Sequence, residues 1–429
     1  MSAKRVLIVC YYWPPAGGPG VQRWLKFVKY LGEFGVEPVV FVPDNAHYPL
    51  KDEAFVAEIP ENIEIIRFPI KEPYRFAKWF SKKKTKTISS GIISEKQPSF
   101  LERAMLFIRG NLFIPDARVG WVKPASRFLL KYLTKNEIDT IVTTGPPHSL
   151  HLIGLKLRQE LGIRWIADFR DPWTTIHYHK SLRLTESSEK KHKALEKQVL
   201  TQADAIVVTS PGTKKEFSEI TQKPITVITN GFETPPNTAQ TLDERFTLVH
   251  IGSLLTNRNP EVLWKVIAEL IHEKPEFAAR CQINLVGAVS KDVMASLDAL
   301  GLTTYTEEGG YVSHEEALQL QKNAQVLLLV EMNRPETKAI IPGKLFEYLS
   351  ARRPILALGP VGSDMKTIID ETNSGQFFTY SEERQIKDQL WNYFQDYSDQ
   401  KLEVDSVYIE KYSRRELTKE LAALLLWNS

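Results

Sequence analysis

Short, nearly all-apolar runs recur along this chain, and each is followed by a stretch whose apolar residues have helical spacing. "RVLIVC" (5–10) is the first run, and its length and composition are those of a strand buried on both faces. "VQRWLKFVKYLGEF" follows, with Val21, Trp24, Leu25, Val28 and Leu31 on one helical face. "EPVVFVP" (37–43) is the next strand. The alternation continues through "DTIVTT", the helical "SLHLIGLKLRQELG", "RWIADF", "DAIVVTS" and "ITVITNG". Such a sequence specifies an α/β fold with parallel strands and helices on both faces.

The pattern breaks at "FETPPNTAQTLDE" (232–244), which is polar, rich in proline and reads as a linker. It then restarts. "FTLVHIGSL" is a strand ending in a glycine turn, and "PEVLWKVIAELI" is a helix with Pro260 in its first turn. "CQINLVG", "AQVLLLVE", "RPILALG" and "GQFFTY" supply further strands. A chain of 429 residues is too long for one ordinary core. The expected organisation is therefore a Rossmann-like domain at 1–235, a second at 236–405, and a C-terminal helix within 406–429.

Composition narrows the function. The two cysteines, Cys10 and Cys281, lie in apolar runs and read as buried thiols, with no disulfide framework. No apolar stretch approaches the ~20 residues of a membrane span, and "MSAKRVLIVCYYWPP" lacks the pattern of a signal peptide. A cytoplasmic location is expected. Charge is uneven: residues 1–235 hold 35 Lys and Arg against 24 acids, the remainder 20 against 28. A basic first half suggests an anionic partner. Its densest part, 71–110, holds ten basic and three acidic residues. It reads either as a solvated loop and helix or as a peripheral surface for anionic lipid, with Phe100, Leu101, Met105, Leu106 and Phe107 as the apolar face. No basic recognition motif for nucleic acid is present.

Two stretches carry chemistry. In "YYWPPAGGPGVQRW", Gly17, Gly18 and Gly20 are too late and wrongly spaced for the dinucleotide fingerprint. They still allow close backbone approach to a ligand at a helix N-terminus. In "IPGKLFEYLSARRPIL", Gly343 and Lys344 open a helix and Glu347 lies three residues on, on the same face. Lysine there adds to the positive helix end and suits a phosphate; the glutamate can accept two hydrogen bonds from a vicinal diol such as a ribose. A surface ion pair would look the same.

"IPGKLFEYLSARRPIL" resembles the P-x-K-x-x-E-Y segment of GT-B glycosyltransferases, specifically the glycosyltransferase 4-like group. "PPAGGPGVQRWLKFVKYLGEFG", "VITNGFE" and "HIGSLLTNRNPEVLWKVIAEL" resemble the same group's N-terminal loop, pre-linker segment and second-domain start. The resemblance covers nearly the whole chain. It implies two Rossmann-like domains facing across a cleft, with the last helix crossing back to the first. It also implies a nucleotide-sugar donor held mostly by the second domain, with Glu347 on the ribose and Lys344 and Arg258 on the diphosphate. Gly252, Ser253 and Gly343 would line the donor, and Gly17 and Gly18 would approach it. This chain has Ser253 where many members have arginine. It has Ala339 where many have a second glutamate, with Glu336 out of register.

In "TTGPPHSLHLIG", His148 precedes Ser149, a plausible N-cap, and is placed either to pack there or to hydrogen-bond a sugar hydroxyl. "IADFRDPW" brings Asp168, Arg170 and Asp171 to a strand's carboxyl end, where open α/β sheets bind ligands. His148 and Asp171 are the candidates for catalysis. Asp168 and Arg170, with Asp116 and Trp121 from "FIPDARVGW", are the acceptor or sugar-side candidates. "DFRD" lacks the D-x-D pair of metal-dependent transferases, so no metal and no cofactor are expected. The expected function is transfer of a sugar from a nucleotide-sugar to an acceptor alcohol on a lipid or saccharide, in surface polysaccharide or glycolipid synthesis, with retention. The alternatives are a nucleotide-sugar epimerase or a non-catalytic binding protein of the same fold.

Overall fold

A computed structural model describes residues 3–72, 100–176, 179, 182–234 and 241–427. The chain forms two compact units, Met1–Thr229 with Arg414–Ser429, and Asn230–Ser413. The first boundary falls before the proline-rich linker because Phe232 is buried in the second unit's core, and its N–H donates to Tyr412 O at 3.1 Å.

The first unit is built on seven strands: β1 (Lys4–Val9), β2 (Val36–Pro43), β3 (Glu64–Phe68), β4 (Thr140–Gly145), β5 (Arg164–Phe169), β6 (Ala205–Val208) and β7 (Ile225–Val227). They are all parallel, in the order β3-β2-β1-β4-β5-β6-β7. Helices α1 (Pro19–Leu31), α2 (Phe100–Leu112), α3 (Val119–Asn136), α4 (Ser149–Leu161) and α5 (Glu186–Gln202) are among the crossovers. Side-chain alternation along β1 feeds two cores. Leu7, Val9 and Tyr11 enter one with Trp121, Trp165 and Phe169; Val6, Ile8 and Cys10 enter the other with Trp24, Leu25 and Val28.

The second unit has six parallel strands: β8 (Phe246–Ile251), β9 (Cys281–Val286), β10 (Thr306–Gly310), β11 (Val326–Val330), β12 (Ile355–Gly359) and β13 (Gly375–Thr379). Their order is β10-β9-β8-β11-β12-β13. Here too alternate residues divide: Leu328, Val330, Leu356 and Leu358 face one core, Leu327, Leu329, Ile355 and Ala357 the other. Helix α6 (Gly343–Ala351) joins β11 to β12.

The edge strands β3 and β10 left no clear trace in the sequence pattern. "TEEGG" in β10 has no apolar residue to pack and is held by pairing with β9 alone. Both cysteines are free and buried.

The last helix, α7 (Arg414–Leu426), belongs to the first unit. Leu417, Leu421, Ala422 and Leu425 enter the core beside α1. Arg164 donates to the carbonyls of Leu424 and Leu425 at 2.7 and 2.9 Å, placing a cation on the negative end of the helix. Among the described residues, no helix is long and apolar enough to cross a membrane.

Candidate functional site

In each sheet the connection reverses direction beside the first strand, at β1/β4 in one unit and β8/β11 in the other. Ligands of open α/β sheets bind at the carboxyl ends of the strands at such a point. Most of the residues singled out in the sequence lie at these two places.

In the second unit, β8 ends at His250 and Ile251 and turns at Gly252, whose φ of 111° is open to glycine. Gly287 at the end of β9 packs so close that a Cβ there would lie 2.6 Å from Gly252 O. The loop continues through Ser253 to Arg258. Arg258 donates from Nε and Nη2 to the two carboxylate oxygens of Glu331, each at 3.1 Å. Glu331 is fully buried at the carboxyl end of β11, so this two-point pair fixes the guanidinium.

From the other side comes α6. Its N-cap, Pro342, provides no side-chain cap, leaving the first-turn N–H groups beside Gly343 uncapped by a side chain. Lys344 Nζ lies 3.2 Å from His250 Nε2, and close enough to Gly252 that a Cβ on the glycine would be 3.0 Å away. His250 Nδ1 is 3.0 Å from Leu328 O. A carbonyl only accepts, so Nδ1 carries the proton and Nε2 accepts from the ammonium. Burial, then the Lys344 charge, holds the imidazole well below its usual range, hence neutral. Burial and the neighbouring Arg258 lower Lys344 to about 8, against the pull of Glu331 and Glu347. Glu347 Oε2 accepts from Nε2 of the buried Gln321 at 3.2 Å. Two cations and a helix N-terminus therefore converge, with a carboxylate one turn deeper, an arrangement chemically suited to a diphosphate beside a diol.

In the first unit, β1 leads into the glycine loop. Gly17 N–H donates to Leu50 O at 2.9 Å, and Gly18 has φ 91°. Gly20, in the first turn of α1, lies directly under Arg170: a Cβ there would be 2.4 Å from Nη1. The Asp171 carboxylate is 3.9 Å from Arg170 Nε. Asp168 is placed differently from expectation. It is 1% exposed and accepts from Arg23 Nη2, Trp24 Nε1 and Thr144 Oγ1, each at 2.8 Å. Burial pushes its pKa up, but the Arg23 charge and these hydrogen bonds more than offset that and hold the carboxyl below its usual value. Asp168 thus pins α1 to the sheet rather than facing a ligand.

His148 occupies the N-cap position of α4 that was expected for Ser149, without a side-chain cap. The cap comes from Asp116, which accepts from Ser149 N and Oγ at 2.8 Å. That spends the Asp116 carboxylate on the helix end. Trp121 is not at an entrance either. It is 1% exposed, stacks on Phe41 at 5.2 Å and donates to Pro69 O. An indole so placed is core. The His148 ring stacks on Trp173 at 5.1 Å, and neither ring nitrogen has a hydrogen-bond partner among the described residues. Burial first, then His151 and Arg170, keeps it neutral, so it offers one donor and one acceptor.

Several residues were not found from sequence. Tyr11 donates to Glu72 Oε1 at 2.5 Å, Arg118 Nη2 donates to the Tyr11 hydroxyl at 3.0 Å, and Glu72 accepts from His47 N at 2.8 Å. This buried network braces the start of the loop after β1. The signals for His250 and Glu331 were visible: a histidine inside "TLVHIG" and an acid directly after "VLLLV". Of the basic stretch 71–110 and its apolar face, residues 73–99 and the side chains of Phe100 and Leu101 lie outside what the structure describes. In α2, Leu106 is buried, and Phe107, Ile108 and Leu112 are the exposed apolar residues. Among the described residues no cluster of His, Cys, Asp and Glu is arranged to hold a metal.

Two parallel Rossmann-like sheets of this kind make up the GT-B fold of glycosyltransferases. Residues 92–234 match the family described as Glycosyltransferase Family 4. Among solved structures, the chain is similar to a lipopolysaccharide outer core galactosyltransferase, WaaB, at 14% identity and TM-score 0.58, covering 98% of both chains. It is also similar to a glycosyltransferase from Rickettsia africae at 13% identity and TM-score 0.61, covering all of both chains. A third likeness is to Anabaena Alr3699/HepE in complex with UDP, at 13% identity and TM-score 0.56, covering 98% of this chain and 95% of that one. No curated protein matches by sequence.

Proposed function

We propose that the chain transfers a glycosyl group from a nucleotide-sugar, with UDP as the first base to test, to a hydroxyl of a saccharide or lipid-linked acceptor. The observation that carries this reading is the convergence of Lys344 and Arg258 on the uncapped start of α6, with Glu347 one turn deeper. The likeness to a protein solved with UDP supports the choice of base.

In this reading Lys344, Arg258 and the α6 N–H groups hold the diphosphate. They stabilise the charge that develops as the anomeric C–O bond breaks. Glu347 takes the ribose hydroxyls. The acceptor oxygen forms the new bond on the same face, giving retention, and its proton passes to the departing phosphate oxygen. No metal is needed where two cations already meet the leaving group. In the first unit, Arg170 offers charge to an anionic acceptor, with the Asp171 carboxylate 3.9 Å from its Nε as a second polar contact; His148 reaches a sugar hydroxyl only once its buried ring nitrogens are uncovered. Gly17 and Gly18 let backbone approach the substrate.

Calorimetric titration with UDP, GDP, ADP and TDP tests the donor site. Saturable binding of one of them, lost in Lys344→Ala and Glu347→Ala, is expected; binding of none would sink the reading. Activity unchanged by EDTA checks metal independence, and the product's anomeric configuration by NMR checks retention.

The exposed Phe107, Ile108 and Leu112 on α2, in the most basic part of the sequence, favour a peripheral cytoplasmic membrane surface for the acceptor. Co-sedimentation with anionic vesicles at low salt, weakened in Phe107→Ser/Ile108→Ser, is the expected result. No co-sedimentation would exclude it.

A further inference from the structure

The second unit has a cavity of about 430 Å³ at the amino ends of its strands, away from the Lys344 site. Gln325 lies just before β11, and Arg352 and Arg353 just before β12. These line it together with Tyr397, Gln400, Leu402 and Glu403. Its volume is within the ~300–1,000 Å³ range of small-molecule sites.

Arg353 is the unusual member. It is 4% exposed, yet its bonds within the unit are all to neutral oxygens: Ala324 O at 2.7 Å, Gln325 O at 3.1 Å and Gln325 Oε1 at 3.2 Å. Nη1 takes no part in these bonds. None of the ion pairs among the described residues includes Arg353. Buried charges are ordinarily paired, and an unpaired one is costly. Gln325 is itself fixed, donating from Nε2 to Asp243 O at 2.6 Å, so the guanidinium is rigidly presented. Burial lowers Arg353 to about 10, with Glu403 and then Asp243 pulling it back, so it is charged at neutral pH.

Around this cation the lining is mixed. Arg352 stands beside it, in the left-handed region at φ 52°, and reaches outward to Glu410 at 2.9 Å. Gln400, also left-handed at φ 59°, is on the exposed rim. The Glu403 carboxylate would repel a uniformly anionic ligand and accept from hydroxyls. Leu402 and the Tyr397 ring offer apolar surface for C–H faces. The chemistry selected is one anionic group on a polyhydroxylated body.

We propose that this cavity is a second ligand site, taking a small hydroxylated anion of the sugar-phosphate class. Its phosphate pairs with Arg353 and Arg352, and its hydroxyls with Glu403 and Gln400. The site does not depend on the donor assignment, and Lys344→Ala removes competing anion binding at the other end of the sheet.

The test is calorimetry on the full chain carrying Lys344→Ala, titrated with glucose 6-phosphate, gluconate, inorganic phosphate and glucose. Glucose 6-phosphate should bind at one site per chain, inorganic phosphate and gluconate at least tenfold more weakly, and glucose not at all. Gln400→Glu adds charge at the exposed rim without touching the core and should weaken glucose 6-phosphate at least fivefold with an unchanged melting temperature. Arg353→Lys should weaken it at least tenfold. Should Arg353→Lys not fold, Gln400→Glu decides. Absence of saturable binding, affinity unchanged in Gln400→Glu, or gluconate binding as tightly as glucose 6-phosphate would each overturn the assignment.

Discussion

Lys344 donates to His250 Nε2 across 3.2 Å, while His250 Nδ1 is committed to the Leu328 carbonyl. The imidazole is thereby locked as a neutral acceptor inside the sheet. It draws the ammonium toward the Gly252 turn, where a diphosphate would meet both it and the Arg258 guanidinium. His250 positions the lysine and need not touch the ligand.

This arrangement gives a pH signature. Lys344 titrates near 8, against an ordinary value of 10.5. A bound diphosphate favours the protonated form, so nucleotide affinity should be level below pH 8 and fall above it, by up to about tenfold per unit. Stability should move the other way. Between 8 and 10.5 the unfolded chain binds this proton more tightly than the folded one, so the fold gains as pH rises. UDP titrations from pH 6.5 to 9.5, beside melting curves without ligand, measure both. Lys344→Arg should flatten the affinity profile. A level wild-type profile would show that Lys344 does not contact the anion.

Glu331 makes a second prediction. Glu331→Gln keeps size but loses one of two charge-assisted bonds to Arg258, releasing a guanidinium that is 30% exposed. UDP affinity should fall about tenfold, or ~1.4 kcal/mol, if a fixed guanidinium is what the diphosphate needs. Arg258→Ala should fall further, and the double variant no further than Arg258→Ala. Additive losses in that cycle would mean Glu331 acts elsewhere.

The fold was legible because a strand buried on both faces must be apolar throughout, as "RVLIVC" and "AQVLLLVE" are. β10 was not, since an exposed edge strand can be "TEEGG". Lys344 and Glu347 were legible from their spacing on one short helix. The residue types at His250 and Glu331 could be seen, but not their pairing with the site cations: His250 is 94 residues from Lys344, and Glu331 is 73 from Arg258. Only the β8/β11 adjacency brings those pairs together. Asp116 and Trp121 misled because a polar residue and an aromatic near a loop look alike whether they face a ligand, cap a helix or fill a core.

Asp168 tests the structural role assigned to it. Arg23 and Asp168 are each 1% exposed in their side chains, so Asp168→Ala leaves a buried guanidinium unpaired, at a cost of about 3–5 kcal/mol. The pH dependence has a sign. Asp168 titrates below its ordinary value, so its stabilising effect is complete above the unfolded value near 3.8 and is lost as pH falls through the folded one. Chemical denaturation of wild type and Asp168→Asn at pH 7 and at pH 3 should show the gap narrowing in acid. A constant gap would mean the carboxylate charge is not what holds α1.

Gly20 and Gly287 separate a ligand-facing glycine from a structural one. At Gly287 a Cβ would meet Gly252 backbone at 2.6 Å with φ at 118°, so neither side can yield. Gly287→Ala should cost several kcal/mol, on the order of 2–4, and lower the melting temperature. At Gly20 the obstacle is Arg170 Nη1 at 2.4 Å, the far end of a flexible side chain in a helical turn that tolerates alanine. The guanidinium can swing away at little cost. Gly20→Ala should therefore keep its melting temperature within about 2 °C of wild type. It should nonetheless lose transferase activity to the same extent as Arg170→Ala, because both remove the cation from the same place beside α1. If Gly20→Ala retains full activity while Arg170→Ala is impaired, the position of Arg170 over the glycine is incidental and its contribution comes from another rotamer.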